Sequence, residues 1–142
     1  MTIVEPMTMA TDYVLALAGL AFAARVSTRL WRAGFLVTAL AAALGGTYHG
    51  FALHFSEAQL DLLWQATVWL IAAAAGSVTW AVFSGPLDRT GNVPWLAAGA
   101  LLTAAGYALL LGGVSPHAHF NHNDLYHSIQ TVALYLFFKG AE

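Results

Sequence analysis

Five apolar stretches separated by short polar segments run along this chain of 142 residues, at 8–26, 29–53, 59–83, 93–112 and 121–139. Each is about 19 to 25 residues long, enough at 1.5 Å per residue to cross a hydrocarbon core of about 30 Å. Helices are expected there because each helix satisfies its own backbone hydrogen bonds in lipid. The short alternating segments of a membrane β-barrel are absent from the sequence. The pattern therefore predicts an all-α integral membrane protein with five transmembrane helices.

The polar segments between the stretches are short and cover residues 27–28, 55–57, 85–92 and 113–120. The longer ones are rich in Gly, Pro, Asn and Asp, as turns require. Short connections make successive helices antiparallel neighbours. We therefore expect residues 1–142 to form one domain, a five-helix up-down bundle.

Charged residues are few and unevenly placed. Hydrophobic residues make up 59% of the chain and charged residues 8%, which excludes an ordinary soluble domain. All five basic residues adjoin the same set of predicted helix ends: Arg25, Arg29, Arg32, Arg89 and Lys139. Because Lys and Arg are enriched in cytoplasmic loops, we expect the N-terminus outside and the C-terminus in the cytoplasm. The compact loops and alanine-rich spans favour the bacterial inner (plasma) membrane.

Cysteine and tryptophan usage refine this picture. The chain has no cysteine, so disulfides and thiolate metal sites are excluded. It also has no basic groove or arm, so nucleic acid is not an expected partner. Four tryptophans lie near predicted span ends, where interfacial anchors are common: Trp31, Trp64, Trp80 and Trp95.

Ionisable residues within membrane spans are costly and usually mark function. The second stretch carries His49, and the fifth carries Asp124 and His127. The third opens with Asp61, whereas the first carries only Asp12, near its outer end. Each of the two histidines lies six residues, about 9 Å, from the outer end of its span. Two histidines on different helices at equal depth, beside carboxylates, point to one shared ligand.

These residues also have simpler interpretations. A buried neutral histidine forms hydrogen bonds between helices, and Asp61 or Asp124 in a first helical turn interacts favourably with the helix dipole. Three other histidines lie near the predicted water interface and are expected to be solvated loop residues: His54, His117 and His119. An alternative is that the last loop gathers histidines to bind copper. For copper handling the relevant set is His117, His119 and His122.

Three short segments resemble, in order, the membrane hydrolase superfamily of alkaline ceramidases and progestin/adiponectin-type receptors. They are Gly46-Thr47-Tyr48-His49, Gln59-Leu60-Asp61-Leu62-Leu63-Trp64 and Asn123-Asp124-Leu125-Tyr126-His127. The resemblance implies that His49 and His127 are zinc ligands and that Asp61 supports the metal-bound water or handles a proton. The third ligand would come from one of four residues: His122, Asn123, Asp61 or His54. The chain departs from the family in having Asn123 at a histidine position, Gly45 at a serine position, and five helices rather than seven.

The sequence thus predicts a zinc-dependent membrane hydrolase that acts on a lipid or other apolar amide or ester at the outer face. Zinc lowers the pKa of a bound water to about 7, and Asp61 or Asp124 would orient that water or carry its proton. One alternative is a haem b electron-transfer protein with His49 and His127 as axial ligands. Another is a non-catalytic accessory subunit. Membrane lipid, a partner in a membrane complex or a second copy of the chain are the expected partners.

Overall fold

The structure is a computed structural model that describes residues 2–85, 87–88 and 90–142. Within these residues the chain forms five α-helices: α1 (Pro6–Arg25), α2 (Arg29–Phe51), α3 (Glu57–Ser84), α4 (Val93–Leu111) and α5 (His122–Ala141). A single turn of 3₁₀-helix, Ala52–His54, follows α2. The all-helical prediction is confirmed, and each predicted boundary lies within two residues of the observed one.

Four of the helices are long enough and apolar enough to cross a membrane: α1, α2 with its following turn, α3 and α4. The fifth predicted span, α5, is as long as α1 but less apolar. Its first half carries the polar residues His122, Asn123, Asp124, His127, Ser128, Gln130 and Thr131. The coarser prediction of a helical bundle with several membrane-length helices is therefore confirmed.

Helix α1 lies at the centre of the bundle, packed against both α2 and α5. Helix α3 packs against α2, and α4 packs against α5, so the order of packed neighbours is α3, α2, α1, α5 and α4. Successive helices are close neighbours as expected, except for α3 and α4, which flank the central three instead of packing closely together. An apolar groove of about 360 Å³ separates them, with Phe83 of α3, Leu96 of α4 and Phe137 of α5 among its lining residues.

The bundle has two ends of different character. The polar end is where α1, α3 and α5 begin and α2 and α4 end; the aromatic end is the opposite one. Four of the five basic residues lie at or near the aromatic end: Arg25, Arg29, Arg32 and Lys139. The fifth, Arg89, lies outside the described residues. The charge asymmetry used to predict membrane orientation thus corresponds to one end of the fold.

An aromatic core formed by Phe22, Trp31, Phe35 and Phe138 joins α1, α2 and α5 at the aromatic end. Phe35 is fully buried, and its ring centroid lies 5.8 Å from Trp31 and 5.9 Å from Phe22. Phe22 stacks on Phe138 at 4.7 Å. The prediction that Trp31 is an interfacial anchor is wrong, because this side chain is only 7% exposed and packs inside the bundle. Trp64, Trp80 and Trp95 are exposed.

Local sequence signals determine where the helices begin. Ser56 and Gln59 form a reciprocal cap at the start of α3, in which the Ser56 backbone N–H donates to the Gln59 side chain at 2.9 Å.

Between α3 and α4, the backbone N–H and hydroxyl of Thr90 both donate to Asp88. These hydrogen bonds favour the ionised carboxylate and hold the pKa of Asp88 below its usual value.

Candidate functional site

A cluster of polar side chains occupies the polar end between α1, α2 and α5. We call it the polar cluster, and it consists of Glu5, Thr8, Thr11, Asp12, His49, Asn121, Asp124 and His127. Four of these residues lie in α1 or at its N-cap, one lies in α2, and three lie in α5 or at its N-cap. Three helices that are distant in sequence therefore bring their ionisable groups together.

The contact between Asp12 and His127 lies at the centre of this cluster. The Oδ1 atom of Asp12 is 3.4 Å from Nε2 of His127, and Asp12 is only 3% exposed. Helix α2 makes room for the carboxyl group with two glycines, because a Cβ atom on Gly45 would lie 3.2 Å from Asp12 Oδ2. A Cβ on Gly46 would lie 3.1 Å from the Asp12 Cβ. The Gly45–Gly46 pair thus allows an acid to lie between α1 and α2.

The second ring nitrogen of His127 contacts a hydroxyl. Nδ1 lies 3.3 Å from Oγ1 of Thr11, which is within hydrogen-bond reach of the carbonyl oxygens of Met7 and Thr8 at 3.1 and 3.0 Å. A Thr11 hydroxyl that donates to a carbonyl accepts from Nδ1–H, and this assigns one proton to Nδ1. The contact of Nε2 with Asp12 then requires a further proton, on the carboxyl or on the ring, because two lone pairs would otherwise face each other.

His49 lies nearer to the surface, beside Glu5. Its Nδ1 atom is 3.2 Å from Glu5 Oε2 but has no partner in hydrogen-bonding geometry. The Glu5 side chain is 42% exposed, and its backbone N–H donates to the carbonyl of His49 at 3.2 Å. The residues before α1 therefore cover the end of α2 and place a partly exposed carboxylate over the histidine.

Asp124 combines a capping role with burial. Its Oδ2 atom accepts a 2.8 Å hydrogen bond from the Asn121 backbone, and the Asn121 side chain accepts in return from the Asp124 N–H at 3.2 Å. The Asn121 amide also donates to Thr8 on α1 at 3.4 Å. Asp124 is nonetheless 1% exposed, deeper than a helix-start acid needs to be.

The polar cluster contains three buried side-chain atoms that lack a hydrogen-bond partner: Asp12 Oδ2, Asp124 Oδ1 and His49 Nδ1. In the described part of the chain only one other atom of this kind occurs, Thr103 Oγ1 on α4. Leaving a buried polar atom unpaired costs about 1–3 kcal/mol. Each of the three central helices contributes one such atom, so the bundle keeps unpaired ligand-type atoms together at one end.

The structure brings only some of the predicted site residues together. His49, Asp124 and His127 belong to the polar cluster, whereas His122 and Asn123 are half-buried in the first turn of α5. Asp61 is exposed on α3, and no hydrogen bond or ion pair within the described residues joins it to the cluster. Three further histidines are exposed: His54, His117 and His119. Among residues 2–85, 87–88 and 90–142, no three His, Asp or Glu side chains form a group that could hold a metal ion.

The two central histidines differ in depth. Gly45 faces Asp12, which contacts His127, whereas His49 follows Gly45 by four residues, about 6 Å along the helix. His49 is thus about one turn nearer to the polar end than the Asp12–His127 pair. The sequence predicts equal depth, because both histidines lie equally far from predicted span ends. The offset of α2 along α1 is instead determined by how Asp12 packs against Gly45 and Gly46.

Sequence reasoning did not select Asp12, Thr11 or Glu5 as site residues. The available signal for Asp12 was that it is the one acidic side chain within the first apolar stretch. Its partners were not visible, since Asp12 and His127 are separated by 115 residues and meet only because α5 packs beside α1.

The fold and the polar cluster define a class: a helical bundle of membrane-length helices with buried acids and histidines at one end. The chain belongs to the family of unknown function DUF6962, whose sequence model matches residues 7–93 and 87–142. No curated protein matches this sequence. No solved structure matches it either.

Proposed function

We propose that this protein is a multi-pass membrane hydrolase that acts on a lipid or another apolar ester or amide, and that the polar cluster is its reaction centre. The observation that carries the proposal is the buried contact between Asp12 and His127, beside unpartnered atoms of Asp12, Asp124 and His49. Buried ionisable groups inside a membrane bundle are expensive, and function is the usual reason for their presence.

The proposal includes insertion of the bundle into a membrane in one orientation. Four helices have the required length and hydropathy, and the polar half of α5 meets α1 through the contact of His127 with Asp12. Basic residues at the aromatic end favour a cytoplasmic position for that end, which makes the polar end the outer face of a bacterial plasma membrane. The Asp12–His127 pair would then lie about 9 Å below the start of α1, in the outer half of the bilayer.

The residues of the cluster can carry out acid–base chemistry. His127 is oriented by Thr11 at Nδ1 and by Asp12 at Nε2, so its ring is held from both sides. A pair that shares a proton can accept one from an attacking water and return it to the leaving group. Glu5 and His49 lie between this pair and the outer surface, where they would exchange protons with water.

A zinc ion is the cofactor that the family resemblance implies, and the cluster offers donor types that zinc accepts, but no three of its His, Asp and Glu side chains form a group that could hold a metal ion. Imidazole nitrogens and carboxylate oxygens are zinc ligands, and the unpartnered atoms of His49, Asp12 and Asp124 are of these types. The resemblance assigns the ion to His49 and His127, but both ring nitrogens of His127 already face Thr11 and Asp12. The proposed reaction therefore uses the acid–base chemistry of the Asp12–His127 pair and no zinc-bound water.

A haem has no room beside the small-residue face of α2, where the alternative function would place it. The small-residue face of α2 that leads to His49 is occupied by α1, since Asp12 and Met9 pack against Gly45 and Gly46. Both ring nitrogens of His127 also have neighbours, Thr11 and Asp12. We therefore propose the hydrolase in preference to the electron-transfer protein.

The test is hydrolysis of a long-chain fluorogenic ester and the matching amide by the full chain purified in detergent. We expect Asp12→Asn to lower turnover by about 100- to 10,000-fold, as loss of a general acid–base group does. Asp61→Asn is the matched comparison, because this acid is exposed and apart from the cluster. Loss of activity in Asp61→Asn with retention in Asp12→Asn would favour the role that the family resemblance implies over the one argued from geometry.

Elemental analysis of the same preparation separates the remaining possibilities. Zinc near one atom per chain, lost in His49→Ala and His127→Ala, would support the metal assignment. A folded wild-type protein that hydrolyses neither substrate would contradict the hydrolase proposal and favour the accessory subunit, for which co-purification with a membrane partner is the next measurement.

A further inference from the structure

A hydroxyl, an imidazole and a carboxyl group lie in a row between α1 and α5. Oγ1 of Thr11 is 3.3 Å from Nδ1 of His127, and Oδ1 of Asp12 is 3.4 Å from Nε2 of the same ring. Thr11 and Asp12 are consecutive residues of α1, so their side chains diverge by about 100° around the helix and hold the ring from two sides. The row has the order of a nucleophile, a base and an acid that orients the base.

The Thr11 hydroxyl has three acceptors within reach. The carbonyl oxygens of Met7 and Thr8 lie at 3.1 and 3.0 Å, and Nδ1 of His127 lies at 3.3 Å. When the hydroxyl donates to a carbonyl, the ring proton is on Nδ1 and the Asp12 contact needs a further proton. When that further proton is absent, one arrangement satisfies both contacts of the ring. Nε2–H then donates to an ionised Asp12, and the Thr11 hydroxyl turns to donate to Nδ1, so that it faces the lone pair of a base.

Burial differs along this row. Asp12 is 3% exposed, whereas Thr11 and His127 are half-buried. The carboxyl end of the row is thus sealed inside the bundle, and the hydroxyl end is not. A separation of 3.3 Å between the hydroxyl and the imidazole is within the looser range of catalytic hydrogen bonds before substrate binds. A substrate carbonyl can therefore meet the hydroxyl without displacing the buried acid.

We propose that Thr11 is the nucleophile of the hydrolase and that the reaction proceeds through an acyl-Thr11 ester. This inference rests on the proposed function, to which it adds a covalent step and a further catalytic residue. Oγ1 forms a bond to the carbonyl carbon of the substrate, and its proton passes to Nδ1 of His127. The bond from that carbon to the leaving oxygen or nitrogen then breaks, and the leaving alcohol or amine takes the proton from Nδ1. Asp12 stays ionised and stabilises the doubly protonated ring between these steps.

Water completes the cycle. Its oxygen attacks the carbonyl carbon of the acyl-Thr11 ester while Nδ1 of His127 accepts one of its protons. The bond from the carbon to Oγ1 breaks, the carboxylic acid leaves, and the proton returns to the Thr11 oxygen. The ring accepts a proton from water in this half of the cycle, as the proposed function requires, but the water attacks an enzyme ester and not the substrate itself.

A covalent probe tests the nucleophile apart from turnover. Ethyl hexadecylphosphonofluoridate reacts with an activated hydroxyl, whose oxygen bonds to phosphorus as fluoride leaves and the proton passes to the base. The full chain is labelled in detergent, and tandem mass spectrometry of its peptides locates the adduct; a sequence without cysteine offers no competing thiol. Thr11→Val removes the hydroxyl and Thr11→Ser keeps one. Thr131→Val is the control, because the Thr131 hydroxyl bonds the His127 carbonyl at 2.9 Å and not its ring.

We expect the probe to label residue 11 in the wild type, in Thr11→Ser and in Thr131→Val, and not in Thr11→Val. Labelling of Asp12→Asn should be at least about 100-fold slower, because the ring loses the acid that orients it. With p-nitrophenyl palmitate, the wild type should release about one equivalent of nitrophenol in a burst. Turnover should fall about 1,000-fold or more in Thr11→Val. Adducts confined to other hydroxyls, or equal labelling rates in the wild type and Asp12→Asn, would overturn the inference.

The same preparations separate this inference from the proposed function. Turnover that Thr11→Val retains, with no burst and no adduct at residue 11 of the wild type, would keep the hydrolase with direct attack by water and overturn the nucleophile. An adduct at Thr11 that depends on Asp12, in a chain that hydrolyses no ester or amide, would keep the nucleophile and contradict the hydrolase. A folded chain with neither adduct nor turnover would overturn both.

Discussion

The two ends of this bundle are built from the same three helices but in opposite ways. At the aromatic end, α1, α2 and α5 meet through Phe22, Phe35 and Phe138, whose rings lie 4.7 to 6.4 Å apart. At the polar end the same helices meet through Asp12, His127 and the glycines opposite them. One end is packed with rings that have no polar groups to satisfy, and the other end holds polar atoms without partners.

This difference shows where the fold is stabilised and where it holds its chemistry. Close packing of large rings contributes stability wherever it occurs, because dispersion contacts do not depend on water. Unpartnered buried carboxylate and imidazole atoms cost free energy instead. Proteins commonly retain such destabilising groups where function needs them. The comparison therefore assigns most of the stability of the central three helices to the aromatic end.

The largest expected effect is on the aromatic core. Phe35→Ala should lower the free energy of unfolding by about 3–5 kcal/mol, because it removes a fully buried ring and leaves a cavity between α1, α2 and α5. The measurement is reversible unfolding of the full chain in mixed micelles, followed by circular dichroism. Phe83→Ala is the control, since that ring is 78% exposed. Equal losses in the two variants would show that the aromatic core does not dominate stability.

Much of the helical framework was predictable from the sequence. Apolar stretches of membrane length and the turn residues between them are local signals, and they located every helix boundary to within two residues. Which helices pack together was not local information. The eight residues at 85–92 connect α3 to α4, yet α3 packs mainly against α2 and α4 mainly against α5, with an apolar groove between the two.

The candidate site was predictable only in part, for the same reason. His49, Asp124 and His127 stand out as ionisable residues in or near apolar stretches, and all three lie in the polar cluster. Asp61 stands out equally but is exposed, because the rotation of α3 about its axis is determined by packing against α2. The partnership of Asp12 with His127 depends on α5 packing beside α1, which periodicity does not encode.

An intermediate loss of stability is expected for a substitution midway along α1, between the aromatic end and the polar end. Gly19 of α1 lies so close to α2 that a Cβ would be 3.0 Å from both the Phe35 carbonyl and the Ala39 Cβ. Gly19→Ala should therefore cost about 1–3 kcal/mol, since backbone must move to admit the methyl group. Gly76→Ala is the matched control, because nothing lies within 4 Å of its added Cβ, and higher helix propensity should make it neutral or stabilising by up to about 1 kcal/mol. Unfolding in micelles measures the stability of both variants. A loss of stability in Gly76→Ala but not in Gly19→Ala would contradict the observed α1–α2 contact.

The smallest change in the free energy of unfolding is expected at the polar end, and there it is neutral or stabilising. Asp12→Asn keeps the size of a side chain whose Oδ2 atom has no hydrogen-bond partner, and it removes a buried acid. A neutral amide of the same size is less costly to bury than an ionisable carboxyl group. We expect the free energy of unfolding to stay within about 1 kcal/mol of the wild-type value or to rise, while hydrolytic turnover is lost.

Asp124→Ala supplies the contrast, because it removes the reciprocal cap of α5 and should cost about 1 kcal/mol. A loss of several kcal/mol in Asp12→Asn would mean that the Asp12–His127 contact holds the bundle together, and the division between a stabilising end and a reactive end would fail.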